Sequence, residues 1–217
     1  MALGQSWRVR RTDVQGVLCL SADLPGPSKN VGLLRPVAAA AVSEGVRKDT
    51  GVISWVSWPD LVTVDGSAVG KVRVSCTSKT SIAVRVNGHA PASQELLSAC
   101  IPSTSILEVL GAEVDLELLS DRVMSALDWY AAELERGAYR KLVERIEPSI
   151  RWMGDSVTVR MKDGTQKAGR ASGLEEGGSL LLRGRGGRTL SISPEDAECV
   201  VPIRQSPQRG SPKRNLL

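Results

Sequence analysis

Phenylalanine is absent from the 217 residues, and only two tyrosines and five tryptophans stand in its place. Aliphatic side chains must therefore fill the core, and nucleic-acid readers that stack bases on several aromatic platforms are disfavoured. Histidine occurs once, as His89, in the turn-like stretch Asn87-Gly88-His89-Ala90-Pro91. Ser-His-Asp or Cys-His chemistry would have to run through that single ring, and no Gly-x-Ser-x-Gly elbow accompanies it. The four cysteines, at 19, 76, 100 and 199, form no Cys-x-x-Cys pair, so closely spaced zinc ligation is excluded and no metal site is expected. Four reduced thiols packed as small apolar residues in a cytoplasmic protein are the expectation. The longest apolar run, Val37 to Val42, has six residues, against roughly 20 for a membrane span and roughly 7 to 15 for a signal-peptide core. Neither is expected here. Phosphate-binding signatures are missing as well: there is no Walker-type glycine loop, and Gly184-Arg185-Gly186-Gly187-Arg188 lies between strand-like runs and reads as a hairpin turn.

What is present is a chain that is 41% hydrophobic and 24% charged, enough to bury a core. Its net charge of +4 is misleading about the body. Arg204, Arg209, Lys213 and Arg214 follow Pro202 with no acid among them, so the stretch before them is formally neutral. A basic, disordered tail over 203–217 is expected, and no nucleic-acid partner.

Along the chain, Val14 to Leu24 reads as a buried strand and Leu33 to Lys48 as an alanine-rich helix stopped by Gly51. Strand-like runs follow at Val52 to Trp58, Leu61 to Val64, Lys71 to Cys76 and Ser81 to Val86, with Asp65-Gly66 as a hairpin turn. Helical spacing then covers Thr104 to Leu110, Val114 to Arg136 and Tyr139 to Ile146. After Gly154 five short strand candidates alternate with glycine turns, the pattern of a small barrel. The expected division is an α/β domain over 1–150, an all-β domain over 151–202, and the tail.

Several segments in this order resemble the biotin protein ligases. Gly16-Val17-Leu18-Cys19-Leu20-Ser21 is similar to the strand after their arginine-rich loop, and Val37 to Gly51 to the helix that leads to their Lys-Trp-Pro-Asn-Asp strand. That motif is matched by Ser57-Trp58-Pro59-Asp60, their following hairpin by Val64 to Gly70, and their strand ending in Gly-x-Asn by Ile82 to Asn87. Ser105 to Gly137 resembles their next helical stretch, and Ala171-Ser172-Gly173-Leu174 with Gly178 to Leu182 resembles their C-terminal barrel. The resemblance implies an α/β fold of the biotin/lipoate ligase kind: a mixed sheet flanked by helices, followed by a small SH3-like all-β barrel. It also implies activation of biotin with ATP and Mg²⁺ to biotinyl-AMP, transfer of biotin to a lysine of a biotin carboxyl carrier protein, and a homodimer.

By the same resemblance Trp58, Pro59, Asp60, Ser67, Gly70 and Asn87 are ligand-binding candidates, while no catalytic residue is assigned. The family's Gly-Arg-Gly-Arg-x-x-Arg loop would precede Trp7, where only Met1 to Ser6 stand, so the catalytic-type domain is expected to be N-terminally short. Arg8, Arg10 and Arg11 are left as phosphate-facing candidates on a changed loop path, or as a solvated basic segment. The family's two site lysines fall on Ser57 and Ser67, and Lys71 lies one residue beyond Gly70. A serine hydroxyl donates a hydrogen bond but neutralises no phosphate or carboxylate. Two readings stay open: an ATP-dependent biotin–protein ligase with a depleted site, inactive in the full reaction, or a non-catalytic ligand-binding or regulatory relative.

Overall fold

In the first half of the chain, strands β1 (Arg8–Val14) and β2 (Val17–Leu24) lead into helix α1 (Val31–Thr50), followed by β3 (Trp55–Ser57), β4 (Leu61–Val64), β5 (Ser67–Cys76) and β6 (Thr80–Asn87). The structure is a computed structural model that describes residues 8–24, 30–91, 97–98 and 100–203. The six strands form one sheet in the order β1-β2-β6-β5-β4-β3. Every ladder between neighbours is antiparallel; parallel pairing is confined to two isolated bridges, Val56 with Ile150 and Ala68 with Ser103. Period-two alternation sets the faces. Val72, Val74, Ile82, Val84 and Val86 are buried beneath α1, whereas Arg73, Ser75, Ala83 and Arg85 are exposed on the other side.

Helix α1 is apolar around most of its circumference, from Leu33 to Val46, because it lies between the sheet and a second helix layer. Burying each such Val or Leu contributes about 1.5–3 kcal/mol before the chain entropy is subtracted. Gly51 ends it in the left-handed region at φ 72°, its N–H bonding Arg47 O. The second layer holds α2 (Ile106–Leu110), started by a capping box between Ser105 and Glu108, α3 (Leu116–Glu135), capped by Asp115, and α4 (Tyr139–Ile146). Gly45 lets α1 and α3 approach closely: a Cβ there would lie 2.6 Å from Val123 Cγ2 and 2.9 Å from its backbone N.

A 3-10 turn, Glu147–Ser149, leads to β7 (Ser156–Met161), β8 (Gln166–Leu174), β9 (Leu180–Arg183), β10 (Thr189–Ile192) and β11 (Ala197–Pro202). Their order, β10-β9-β8-β7-β11, is a meander whose last strand returns beside its first, the small SH3-like barrel. Val157, Val159, Leu180 and Leu182 fill it and continue the core of the larger sheet. Pro36 has no N–H to offer the carbonyl of Gly32 one turn back, and the β8–β9 turn packs there, so close that a Cβ on Gly178 would lie 2.7 Å from that oxygen. Arg35 Nη1 donates to Pro194 O at 3.0 Å, Leu174 N to Glu147 Oε1 at 2.9 Å, and Trp58 Nε1 to Gly178 O at 3.0 Å.

Four expectations are corrected. Arg8, Arg10 and Arg11 lie in a strand, not a loop, opposite Asp23, Ser21 and Leu20, because Gln15-Gly16, with φ of 54° and 83°, turns the chain back on itself; their side chains lie outside the described residues. The expected first strand from Val14 is therefore the second arm of a hairpin. The strand from Val52 to Trp58 is cut to Trp55–Ser57, since α1 and its cap occupy more of the chain. Cys100 and Cys199 are joined in a disulfide between the segment after β6 and β11, while Cys19 and Cys76 are free thiols. The two bonded residues are 99 apart in sequence, a pairing that no spacing rule reaches. The expected tail lies, apart from Ile203, outside the described residues.

Candidate functional site

Two cavities lie where the sheet meets the barrel. The smaller, about 650 Å³, is floored by Ser57, Thr63 and Ser67 of β3 to β5 with the Asp65-Gly66 turn. Its walls are Cys100 to Pro102 on one side, Val200 to Pro202 of β11 on another, and Arg151 with Trp152 between them. Antiparallel pairing places Ser57 opposite Leu61 and Thr63 opposite Trp55, so one short stretch of sheet supplies the hydroxyl-bearing floor. The turn residues, with φ of 49° and 87°, have the doubly left-handed geometry of a tight two-residue hairpin and hold Ser67 at the cavity. The Cys100–Cys199 disulfide ties two of the walls together.

The larger cleft, about 980 Å³, lies on the other side of the Arg151-Trp152 partition and is lined by Trp55, Glu147, Ser172, Arg170 and Arg183 among others. Arg170 and Arg183 are directly opposed on β8 and β9. Arg170 Nε donates to Gly154 O at 2.6 Å. The partition is itself unusual. Trp152 has φ 69°, a strained conformation for a bulky side chain, and the Arg151 guanidinium stacks 4.5 Å from its ring centroid.

The sequence candidates are distributed unevenly about these cavities. Ser67 lines the smaller one, as does Ser57, which is 2% exposed; the two positions that carry lysines in the resembling family thus converge on one space. Trp58 is 1% exposed, packs in the core and spends its indole N–H on Gly178, and it borders neither cavity described. Pro59 follows it through a cis peptide bond and is buried. Gly70 sits in β5 beneath α1, where a Cβ would meet Arg85 O at 3.2 Å and Val42 at 3.6 Å, so it serves close packing. Asn87 is fully buried, with Nδ2 donating to Ala90 O and Thr104 O and with Oδ1 unpartnered. It ties the end of β6 to the segment before α2. His89 Nε2 accepts from Val114 N at 3.1 Å and is likewise a loop fastener.

Asp60 stands apart. Its Oδ1 is buried without a hydrogen-bond partner, and burial pushes the carboxyl above the usual aspartate range, with Lys71, Arg35, Lys162 and Arg73 pulling the other way. Among the described residues no group of three or more His, Cys, Asp or Glu stands ready to hold a metal ion. No helix among them is long and apolar enough to cross a membrane. Sequence reasoning missed Arg151, Trp152 and Cys100. The change of texture after Gly154 was legible in the sequence, but nothing local says that the residues just before it return to the edge of β3.

No family model matches the chain, and no curated protein does. Solved structures do. Biotin protein ligase from Aquifex aeolicus superposes with a TM-score of 0.74 at 18% identity, over 87% of this chain and 83% of that one. The same enzyme in complex with biotin and ATP gives 0.74 at 20% identity, over 87% and 79%. A biotin protein ligase-like protein of unknown function from a Silicibacter species gives 0.70 at 16% identity, over 86% and 82%. The chain therefore has the biotin protein ligase fold, with helices covering one face of the large sheet and the small barrel following it.

Proposed function

We propose that the protein is a divergent relative of the biotin protein ligases that binds biotinyl-AMP, or a close acyl-adenylate, in the 650 Å³ cavity and does not complete the ligase reaction. The observation that carries this reading is the convergence of Ser57 and Ser67 on a cavity of ligand size between sheet and barrel. Adenylation leaves negative charge on a departing pyrophosphate, and stabilising it asks for several cations. Among the described residues the cavity lining offers one, Arg151, with neutral hydroxyls around it. Such a lining favours holding a ligand over turning it over. Asp65 is the carboxylate in that lining, so Mg²⁺ would be held chiefly by the ATP phosphates it accompanies.

Calorimetry with biotin, biotinyl-AMP and ATP, together with biotin-dependent exchange of labelled pyrophosphate into ATP, tests the proposal on the full chain. Binding of biotinyl-AMP with little exchange is the expected pair of results. Failure to bind any of the three sinks the reading. Robust exchange moves it to a working ATP-dependent biotin–protein ligase, the second reading, which the likeness to a structure bound to biotin and ATP favours. A biotin carboxyl carrier protein as partner, a homodimer and a cytoplasmic location belong to both readings. A reducing cytoplasm is the setting in which the Cys100–Cys199 bond is least favoured.

A further inference from the structure

Arg151 is held at the cavity by its backbone. Its N–H donates to Val56 O at 2.8 Å, and Ile150, 4% exposed, bridges Val56 in parallel, so the linker is zipped to the free edge of β3. The side chain stacks on Trp152 and reaches toward the Asp65-Gly66 turn, its Nη2 lying 3.9 Å from the point a Cβ on Gly66 would occupy. Its Nε is buried and has no hydrogen-bond acceptor, and no acid pairs with Arg151 among the described residues. A buried donor without an acceptor is costly and uncommon, and a guanidinium presents a planar fork matched to phosphate or carboxylate oxygens. Around it stand the hydroxyl-bearing floor of Ser57, Thr63 and Ser67.

We infer that Arg151 is the anion anchor of the cavity: it binds the phosphoryl group of the ligand, supplying from the linker after the helices the positive charge that Ser57 and Ser67 do not carry. This deepens the adenylate reading and rests on it for the identity of the ligand. A phosphoryl oxygen and a carboxylate oxygen both suit the fork, so the probes must separate them. Calorimetry on the full chain with biotinyl-AMP, AMP, biotin and inorganic pyrophosphate, for the natural protein and for Arg151→Gln and Arg151→Lys, does so. Arg151→Gln is expected to weaken biotinyl-AMP, AMP and pyrophosphate by roughly tenfold or more, to leave biotin within about threefold, and to flatten the salt dependence of binding. Arg151→Lys is expected to retain part of the affinity, and Ser67→Lys added to Arg151→Gln to regain part of it.

Unchanged phosphate affinity in Arg151→Gln, with the natural protein binding the same probes, overturns the inference while the adenylate reading stands. Pyrophosphate bound by the natural protein and lost in Arg151→Gln, with no adenylate bound by either, overturns the adenylate reading and keeps the anchor. A selective loss of biotin alone assigns Arg151 to a carboxylate and overturns the phosphoryl assignment. If the natural protein binds none of the probes, both fall. The same Arg170→Gln and Arg183→Gln changes in the outer cleft are the control, expected to leave all four affinities within about twofold, since neither residue lines the smaller cavity.

Discussion

Asp60 illustrates how a single carboxyl can be surrounded by cations and still be uncomfortable. Desolvation outweighs the attraction of Lys71, Arg35, Lys162 and Arg73, so the group binds its proton more tightly folded than unfolded. The ionised carboxylate therefore costs stability at neutral pH, and that cost is relieved as pH falls through the raised folded pKa. Replacing Asp60 by Asn is expected to stabilise the protein at pH 7 and to confer a shrinking advantage as the pH is lowered toward the ordinary aspartate range. Urea unfolding of both proteins across that window checks the sign; a gap that widens on acidification contradicts it. At this scale the sequence pointed to chemistry more readily than to contacts. Ser57 and Ser67 were recognisable as neutral substitutes from their motifs, but the fate of Trp58 was not: which carbonyl takes its indole proton depends on Gly178, 120 residues away.

Among the elements, the pairing of α1 with α3 is the tightest argument from sequence to packing. A glycine in the middle of a helix normally costs about 1 kcal/mol relative to alanine, so Gly45→Ala would stabilise an isolated helix. Here the added methyl runs into the backbone of Val123, which cannot swing aside as a side-chain tip does. Overpacking of this kind typically costs about 1–3 kcal/mol. Gly45→Ala is accordingly expected to lower stability on balance, by denaturant titration, whereas an alanine at the open Gly186 turn, which has no neighbour within 4 Å, is expected to do little. Elements with clean periodicity were legible in advance: the alternation of β5 and β6, the Asp-Gly turn, the alanine-rich helix and the five barrel strands. Strand β1 was not, because Arg8-Val9-Arg10-Arg11-Thr12-Asp13-Val14 offers no apolar face, and only pairing with β2 makes it a strand.

For the whole molecule, the barrel is fastened to the α/β layer by hydrogen bonds at Trp58, Arg35 and Glu147 and by the Cys100–Cys199 bond. Closing a loop of this length restricts the unfolded chain, an effect of about 5 kcal/mol in the chain-entropy model. Cys199→Ser is expected to lower unfolding stability by several kcal/mol under oxidising conditions and to leave it unaffected by reductant, in contrast to the natural protein. Equal stability of the two without reductant refutes it. Cysteine spacing gave no warning of this bond, since its partners come together only after the barrel has docked.

The bond also makes a large part of the chain a covalent ring, running from Cys100 through the second helix layer and most of the barrel back to Cys199. A protease that cuts any one turn inside that ring opens it without releasing a fragment. The nicked protein would keep its mass until reductant is added, and only then separate into two pieces. Intact mass on a non-reducing gel is thus no measure of an unbroken backbone in this protein.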